Sequence, residues 1–357
     1  PVLEYKRGKM AISAVPGAGK TTILLALILK LMENKVHPEN IYVLTYMESA
    51  ARNFKDRIKN INPENTKLPN ITTIHGLALR ILKENSNFEK DYKKIYADFW
   101  TSPFCKVALT EREINEFIKR NIINYEDALL FSYIKGTLQG FPYECNIKQV
   151  VIDEAQDYNR LQYIIISKIF RKADFTILGD INQNINPYYS YNSLEDLSPI
   201  FSGDTKYLEL LKTYRSSPEI IEYTNKILNL KHVNAIRKDN NKPVIFRKNI
   251  TNLKESLLAD INTLQNEYKS TAIITKDYKE AEELYDKLKD NISISLVDAN
   301  TKKFKKDLIV IPAYIAKGLE FDSVIIYNDR NNSYRKNERN LLYVACTRCQ
   351  HELYIYN

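Results

Sequence analysis

Hydrophobic positions along the chain fall into two patterns that alternate. Short runs such as Ile41–Leu44 and Ile147–Ile152 are almost wholly apolar, which is typical of buried parallel strands. Between such runs, apolar residues recur every three or four positions, as they do from Leu253 to Leu264, and this spacing predicts amphipathic helices. The alternation predicts an α/β fold with parallel sheets. The predicted strands are Met10–Ser13, Ile41–Leu44, Ile71–Thr73, Ile147–Ile152, Phe175–Leu178, Val244–Phe246, Ala272–Thr275, Ser293–Val297, Leu308–Pro312, Val324–Tyr327 and Leu353–Tyr356.

Two domains are predicted, over residues 1–215 and 216–357. A chain of 357 residues suggests two or three domains, and the boundary is inferred from a change in motif content. Residues from about 85 to 144 contain few strand signals and the single tryptophan, Trp100. We expect them to form a small helical insertion in the first domain.

Composition narrows the class of protein. Hydrophobic residues make up 44% and charged residues 27%, which is ordinary globular usage. The longest apolar run, Ile23–Leu29, is far shorter than the ~20 residues of a membrane span. The four cysteines are too few for a secreted disulfide scaffold, so we expect a reducing compartment, the cytoplasm. Because the chain begins at Pro1, we expect it to be an excerpt from a longer protein.

Net charge adds a weaker constraint. The 52 Lys and Arg against 44 Asp and Glu give +8, which suits a polyanionic partner such as nucleic acid. A bias towards Lys, Asn, Ile and Tyr would also arise from AT-rich coding. Charge alone leaves both explanations open.

The strongest local signal is the segment Ala14-Val-Pro-Gly-Ala-Gly-Lys-Thr21, which follows a predicted strand and opens a predicted helix. This is the context of a P-loop, whose backbone amides surround a triphosphate. Lys20 would reach the β and γ phosphates, and the hydroxyl of Thr21 would bind Mg²⁺. The alternative is a glycine-rich turn with no ligand. The predicted ATP-binding loop comprises Pro16, Gly17, Ala18, Gly19, Lys20, Thr21 and Thr22.

Two acidic residues follow the apolar run that ends at Ile152. We expect Asp153 to hold Mg²⁺ and Glu154 to polarise the attacking water. For this assignment we expect their strand to lie next to the strand that precedes the P-loop. The alternative is an acidic strand end that caps the next helix.

Three further side chains are candidates for contact with the γ-phosphate. Gln183 follows the next predicted strand and could position the attacking water. Arg215 and Arg348 stand apart from charge runs in a chain with few arginines. A planar, permanently charged guanidinium suits the charge of a transferring phosphoryl group. A surface ion pair is the alternative for each arginine.

The order of these segments resembles that of the UvrD/Rep/PcrA type of superfamily 1 helicase, from Ala14 to Gln350. The resemblance implies an α/β protein with two RecA-like P-loop NTPase domains and ATP, with Mg²⁺, in the cleft between them. The segments that carry it are 14–22 (the P-loop), 44–51 (LTYMESAA), 73–76 (TIHG), 153–157 (DEAQD), 179–183 (GDINQ), 214–216 (YRS), 317–321 (KGLEF) and 343–348 (YVACTR).

The same resemblance implies roles for single residues. Tyr214 would stack on the adenine, Arg215 would touch the γ-phosphate and Glu320 would meet the ribose. Arg348 would reach the nucleotide from the second domain. It also implies movement from 3′ to 5′ on single-stranded DNA.

Single-stranded DNA would cross both domains and touch Thr45, Tyr46 and His75. The family's base-stacking tryptophan after the GDxxQ segment is replaced here by a tyrosine-rich stretch. Either Tyr188, Tyr189 or Tyr191 takes over the stacking, as we expect for Tyr188, or the three rings pack against the domain.

One departure from the family and one further resemblance leave alternatives open. The interval from Arg215 to Lys317 is too short for the large inserted subdomain of the family, which bears on duplex unwinding. The segments 153–187 and 316–322 also resemble the HelD branch, whose members remodel RNA polymerase with the same motor. A nucleotide-gated binding module without turnover is the third alternative.

Overall fold

The structure is a computed structural model. It describes residues 2–4, 7–61, 67–83, 125–186, 191–201, 205–230, 232–237, 242–248, 250–298, 301, 307–328 and 333–356. Trp100 and most of the predicted insertion at 85–144 lie outside these described residues.

The first sheet contains six strands in the order β3-β2-β4-β5-β1-β6. Its pairs β2–β3, β2–β4 and β4–β5 are parallel. Every residue of β2 and β4 is buried, which explains their continuous apolar runs. The strands are β1 (Lys9–Ala14), β2 (Ile41–Thr45), β3 (Asn70–Thr73), β4 (Gln149–Ile152), β5 (Asp174–Gly179) and β6 (Thr205–Leu210).

Five described helices accompany this sheet. They are α1 (Lys20–Glu33), α2 (Glu48–Ile61), α3 (Ile74–Lys83), α4 (Tyr125–Gln139) and α5 (Arg160–Ile169). Helix α2 buries Ala51, Phe54 and Ile58, whose spacing of three and four places them on one face. Helix α5 begins at a capping box, in which the side chains of Asn159 and Gln162 bond each other's backbone amides.

A small two-stranded parallel sheet comes next, formed by β7 (Lys212–Thr213) and β8 (Asn234–Ala235). The larger second sheet has the order β11-β12-β10-β13-β14-β9, and all of its pairs are parallel. Its strands are β9 (Ile245–Arg247), β10 (Thr271–Thr275), β11 (Ser295–Leu296), β12 (Leu308–Pro312), β13 (Phe321–Tyr327) and β14 (Cys349–Tyr356). The helices of this half are α6 (Pro218–Leu228), α7 (Leu253–Glu267), α8 (Tyr278–Leu288), α9 (Ala313–Ala316) and α10 (Arg339–Cys346).

Both faces of the second sheet are buried. On β10, Ile274 belongs to a cluster with Ile220 of α6 and Ala345 of α10. The next side chain, Ile273, points to the other face and joins a cluster with Leu257 of α7. Alternate residues of one strand thus enter two apolar layers, so the middle of β10, from Ala272 to Ile274, is continuously apolar. The predicted α/β fold with parallel sheets is confirmed.

Contacts among the residues divide the chain into two compact units. The first comprises 1–12, 21–179 and 191–208, and the second 13–20, 180–190 and 209–357. A domain boundary near residue 215 stays a prediction. None of the helices in the described ranges is long and apolar enough to cross a membrane.

Candidate nucleotide site

The loop between β1 and α1 depends on two glycines in the left-handed region. Gly17 has φ 72° and Gly19 has φ 80°, a conformation that side chains disfavour. A Cβ built on Gly17 would lie 2.3 Å from the Cβ of Arg215 and 2.6 Å from Oγ1 of Thr213, whereas one on Gly19 would meet nothing within 4 Å. The backbone N–H of Tyr214 also donates to the Gly17 carbonyl at 3.1 Å. Gly17 is therefore packed against the segment 213–215, while Gly19 faces open space.

The rest of the loop leads into the amino terminus of α1. Pro16 and Ala18 are buried, and the N–H of Ala18 donates to the carbonyl of Val15 at 3.2 Å. Lys20 begins the helix and its Nζ donates to the carbonyl of Ala14 at 3.2 Å, so the ammonium group folds back over the loop.

The first turn of α1 contains Thr21 and Thr22 and no acidic residue. The first amides of a helix have no carbonyl partner within the helix and carry a partial positive charge. A helix start that lacks carboxylates after a glycine loop is suited to bind an anion such as a polyphosphate.

The acidic pair lies directly after β4. Asp153 is buried and its Oδ1 accepts the backbone N–H of Glu154 at 2.9 Å. Glu154 has φ 50° and ψ 46°, a left-handed conformation that is uncommon outside glycine. Its Oε2 accepts a hydrogen bond from Nε2 of Gln156 at 2.7 Å. The buried amide of Gln156 thus orients the Glu154 carboxylate, and a strained backbone of this kind is frequent at functional sites.

The expectation that these residues follow a strand next to β1 is wrong, because β5 lies between β4 and β1. Gly8 bonds with both of the first two residues of β5: its N–H donates to Oδ1 of Asp174 at 2.8 Å, and its carbonyl accepts the N–H of Phe175 at 3.0 Å. Strands β1 and β5 therefore start at the same edge, and β4 runs parallel to β5. Asp153 and Thr21 consequently follow strands that end at one edge of the sheet.

Two of the predicted γ-phosphate residues contact each other. Arg348 is only 2% exposed, and its Nη2 donates to Oε1 of Gln183 at 2.8 Å. The Nε2 of Gln183 donates in turn to Oδ2 of Asp180 at 2.9 Å. The other nitrogens of the guanidinium, Nε and Nη1, donate to the carbonyls of Val344 at 3.0 Å and Leu319 at 3.4 Å. Backbone groups thus fix the guanidinium that orients the glutamine amide.

The other predicted nucleotide contacts also lie together. The guanidinium of Arg215 forms an ion pair with the carboxylate of Glu320. The second oxygen of Glu320 accepts from Nε2 of Gln350 at 3.2 Å. Tyr214 is 62% exposed, so its ring is accessible for stacking. The structure brings Tyr214, Arg215 and Glu320 together, and the Arg215 side chain is paired with Glu320.

The residues predicted to touch DNA follow β2 and β3. Thr45 pairs with Thr73 in the register of these strands, and His75 lies just beyond, at the start of α3. Tyr46 is 37% exposed, but Thr45 is buried and its hydroxyl donates to the carbonyl of Met47 at 3.2 Å. Of these side chains, Tyr46 is suited to stack on a base, whereas the Thr45 side chain shapes the turn.

The tyrosine-rich stretch is only partly within the described residues, and Tyr188 and Tyr189 lie outside them. Tyr191 is described. Its hydroxyl donates to the carbonyl of Tyr158 at 2.7 Å, and its ring lies 6.3 Å from that of Tyr163. Tyr191 therefore packs against the first unit.

Sequence reasoning missed three side chains of this site. Asp180 is 1% exposed and orients Gln183. Tyr343 packs nearby, where burial and then the charge of Asp180 raise its pKa, so the phenol stays neutral. Gln350 bonds Glu320. Asp180 and Tyr343 belong to the GDINQ and YVACTR segments, which could have predicted them. Gln350 lies outside these segments, and no sequence pattern marks it.

Comparison with known families agrees with this arrangement. Residues 2–127 and 108–193 match the family model of the UvrD/REP helicase N-terminal domain, and 307–356 match that of the UvrD-like helicase C-terminal domain. The chain belongs to the UvrD/REP helicase family.

Curated relatives carry related names. The chain is 27% identical over 285 residues to "ATP-dependent DNA helicase Rep" of Buchnera aphidicola subsp. Schizaphis graminum, covering 63% of this chain and 43% of the relative. It is 26% identical over 379 residues to "Putative ATP-dependent DNA helicase R568" of Acanthamoeba polyphaga mimivirus, covering 96% and 50%. With "ATP-dependent DNA helicase PcrA" of Staphylococcus epidermidis it shares 25% identity, over 62% of this chain and 38% of the relative. The chain therefore spans about half the length of these relatives.

Proposed function

We propose that this chain is the ATP-hydrolysing motor of a DNA helicase, which moves from 3′ to 5′ on single-stranded DNA. The observation that carries the proposal is the loop of residues 14–20, which contains two left-handed glycines and leads into a helix whose first turn has no acidic residue. Family membership and the relatives named ATP-dependent DNA helicases support the choice of ATP and DNA.

In this proposal the loop binds the phosphates through its amides and Lys20. Thr21 and Asp153 offer the hydroxyl and carboxylate oxygens that Mg²⁺ prefers, and both follow strands that end at one edge of the sheet. Bound Mg²⁺ would neutralise charge on the β and γ phosphates. Glu154 accepts a proton from the attacking water, and Gln183 orients that water.

Arg215 and Arg348 supply positive charge to the transferring phosphoryl group, Tyr214 stacks on the adenine and Glu320 bonds the ribose. Arg215 can serve this role because a guanidinium donates paired hydrogen bonds to phosphate oxygens as it does to a carboxylate.

Coupling to movement follows from the two RecA-like domains that the family resemblance implies. ATP binding would favour one arrangement of the domains and hydrolysis another, so a strand bound by both would be displaced. Tyr46 would stack on a base without sequence preference, a contact worth about 1–3 kcal/mol per base.

The test is the rate of phosphate release with and without an oligothymidine strand at low salt. We expect the strand to stimulate turnover, because DNA and ATP favour the same arrangement. Lys20→Ala should remove turnover. Lys30→Ala, in the last turn of the same helix, is the matched control and should retain it.

Three outcomes separate the alternatives. If the unaltered chain does not hydrolyse ATP, the alternative of a nucleotide-gated binding module is favoured. Turnover that RNA polymerase stimulates and DNA does not would favour the polymerase-remodelling alternative. Stimulation by DNA, lost in Lys20→Ala alone, supports the motor.

A further inference from the structure

Arg237 lies outside every segment that resembles the helicase family, yet it bonds the backbone of Arg215, in the YRS segment, and of Gln350, just after the YVACTR segment. Its Nη1 donates to the backbone carbonyl of Arg215 at 2.6 Å and to that of Gln350 at 3.1 Å. Its Nη2 lies 2.9 Å from Nδ1 of His351. The guanidinium therefore joins the backbone after β7 to the start of β14.

The side chains of the two bonded residues converge on one carboxylate. Arg215 forms an ion pair with Glu320, and Gln350 donates to the other oxygen of the same group at 3.2 Å. The contacts thus close a ring, in which Arg237 holds the backbone of Arg215 and Gln350, and Glu320 joins their side chains.

Other bonds keep these segments together without Arg237. Ser216 Oγ donates to the carbonyl of Cys349 at 2.6 Å, and the N–H of Ser217 donates to that of Gln350 at 3.1 Å. The loss of Arg237 should therefore leave the fold in place while it releases the carbonyl of Arg215 itself. The orientation of the Arg215 side chain would then be set less narrowly.

We propose that Arg237 is a positioning residue for ATP hydrolysis, which holds the Arg215–Glu320 pair in the orientation that the nucleotide requires. This inference rests on the proposed function, in which Arg215 meets the γ-phosphate and Glu320 the ribose. Arginine suits the task because its rigid fork offers several donors at fixed angles, whereas lysine offers one compact ammonium group.

A merely structural arginine provides the comparison. Arg247, in the same unit, donates to both oxygens of Asp260, at 2.8 and 2.6 Å, and ties β9 to α7. It contributes hydrogen bonds of similar number but contacts none of the predicted nucleotide residues. Arg247→Ala is therefore the matched control for the loss of a partly buried arginine.

The experiment compares Arg237→Ala, Arg237→Lys, Arg247→Ala, Arg215→Ala and the double variant at 215 and 237. It measures kcat and KM for ATP, the Kd of a non-hydrolysable ATP analogue and the melting temperature. We expect Arg237→Ala to lower kcat by about 10- to 100-fold, since small misplacements of reacting groups cost that much. Arg237→Lys should recover little, and Arg247→Ala should lower the melting temperature at unchanged kcat. The double variant should be no slower than Arg215→Ala, because Arg237 acts through Arg215.

An Arg237→Ala variant with unaltered kcat and analogue Kd would overturn the inference. An equal loss of kcat whether or not Arg215 is present would do the same. If the unaltered chain does not hydrolyse ATP, the proposed function fails and this inference fails with it, whereas normal hydrolysis that Arg237→Ala leaves unchanged overturns the inference alone. If Arg237→Ala does not fold, the folded Arg237→Lys variant carries the same comparison.

Discussion

Replacement of Gly17 by alanine tests how tightly the phosphate loop is packed. A side chain at φ 72° costs about 1–2 kcal/mol in the left-handed region. The added Cβ would also lie 2.3 Å from the Cβ of Arg215. It must move by about 1 Å to reach an ordinary carbon contact near 3.5 Å. Such overpacking costs about 1–3 kcal/mol more. We therefore expect Gly17→Ala to lower the free energy of unfolding by about 2–5 kcal/mol in total.

Gly19→Ala is the matched control, because it shares the loop and has φ 80° but its Cβ would meet nothing within 4 Å. Its free energy of unfolding should fall only by the cost of a side chain in the left-handed region, about 1–2 kcal/mol. The assay is urea unfolding without nucleotide. With a slope of about 2 kcal/mol per M, the Gly17→Ala midpoint should lie about 0.5–1.5 M below that of Gly19→Ala. Equal midpoints for the two variants would refute the packing of Gly17 against the segment 213–215.

Three other substitutions test separate parts of the site. Glu154→Gln should leave the Kd of ATP unchanged and slow phosphate release by about 10²–10⁴-fold, because it removes the general base; normal turnover would contradict that role. Arg348→Ala should slow single-turnover hydrolysis by about 10³–10⁵-fold and release Gln183, and a loss below about tenfold would exclude a role as the charge-stabilising arginine. Burial, and then the charge of Arg237, lower the pKa of His351. The unfolded chain therefore takes up a proton near pH 6.5 that the folded chain resists. The contribution of neutral His351 to the free energy of unfolding should be fully present above that pH and should fall as the pH drops below it. His351→Asn should flatten this part of the profile in urea unfolding between about pH 5 and about pH 8, and an unchanged profile would exclude His351 as its source.

Local patterns predicted most of the strands of both sheets, because a strand buried on two faces is apolar along most of its length. Shorter or more polar elements were missed. None of the residues of strand β6 (Thr205–Leu210) is fully buried, and its exposed Lys and Glu weaken the apolar signal. The two-residue strands β7 and β8 are too short to have a pattern. The P-loop and the DEAQD segment were also recognisable, since their chemistry is carried by adjacent residues.

Contacts between distant residues were decided by the fold. Strand order placed β5 between β4 and β1, which corrected the expected neighbours, because pairing depends on how crossover helices route the chain. The bond between Arg348 and Gln183 joins residues 165 positions apart, and that between Arg237 and Arg215 joins a residue without any motif to one within a motif. Composition and spacing constrain the backbone locally. The partner of a side chain depends instead on which segments packing brings within hydrogen-bonding distance, and only the folded chain determines that.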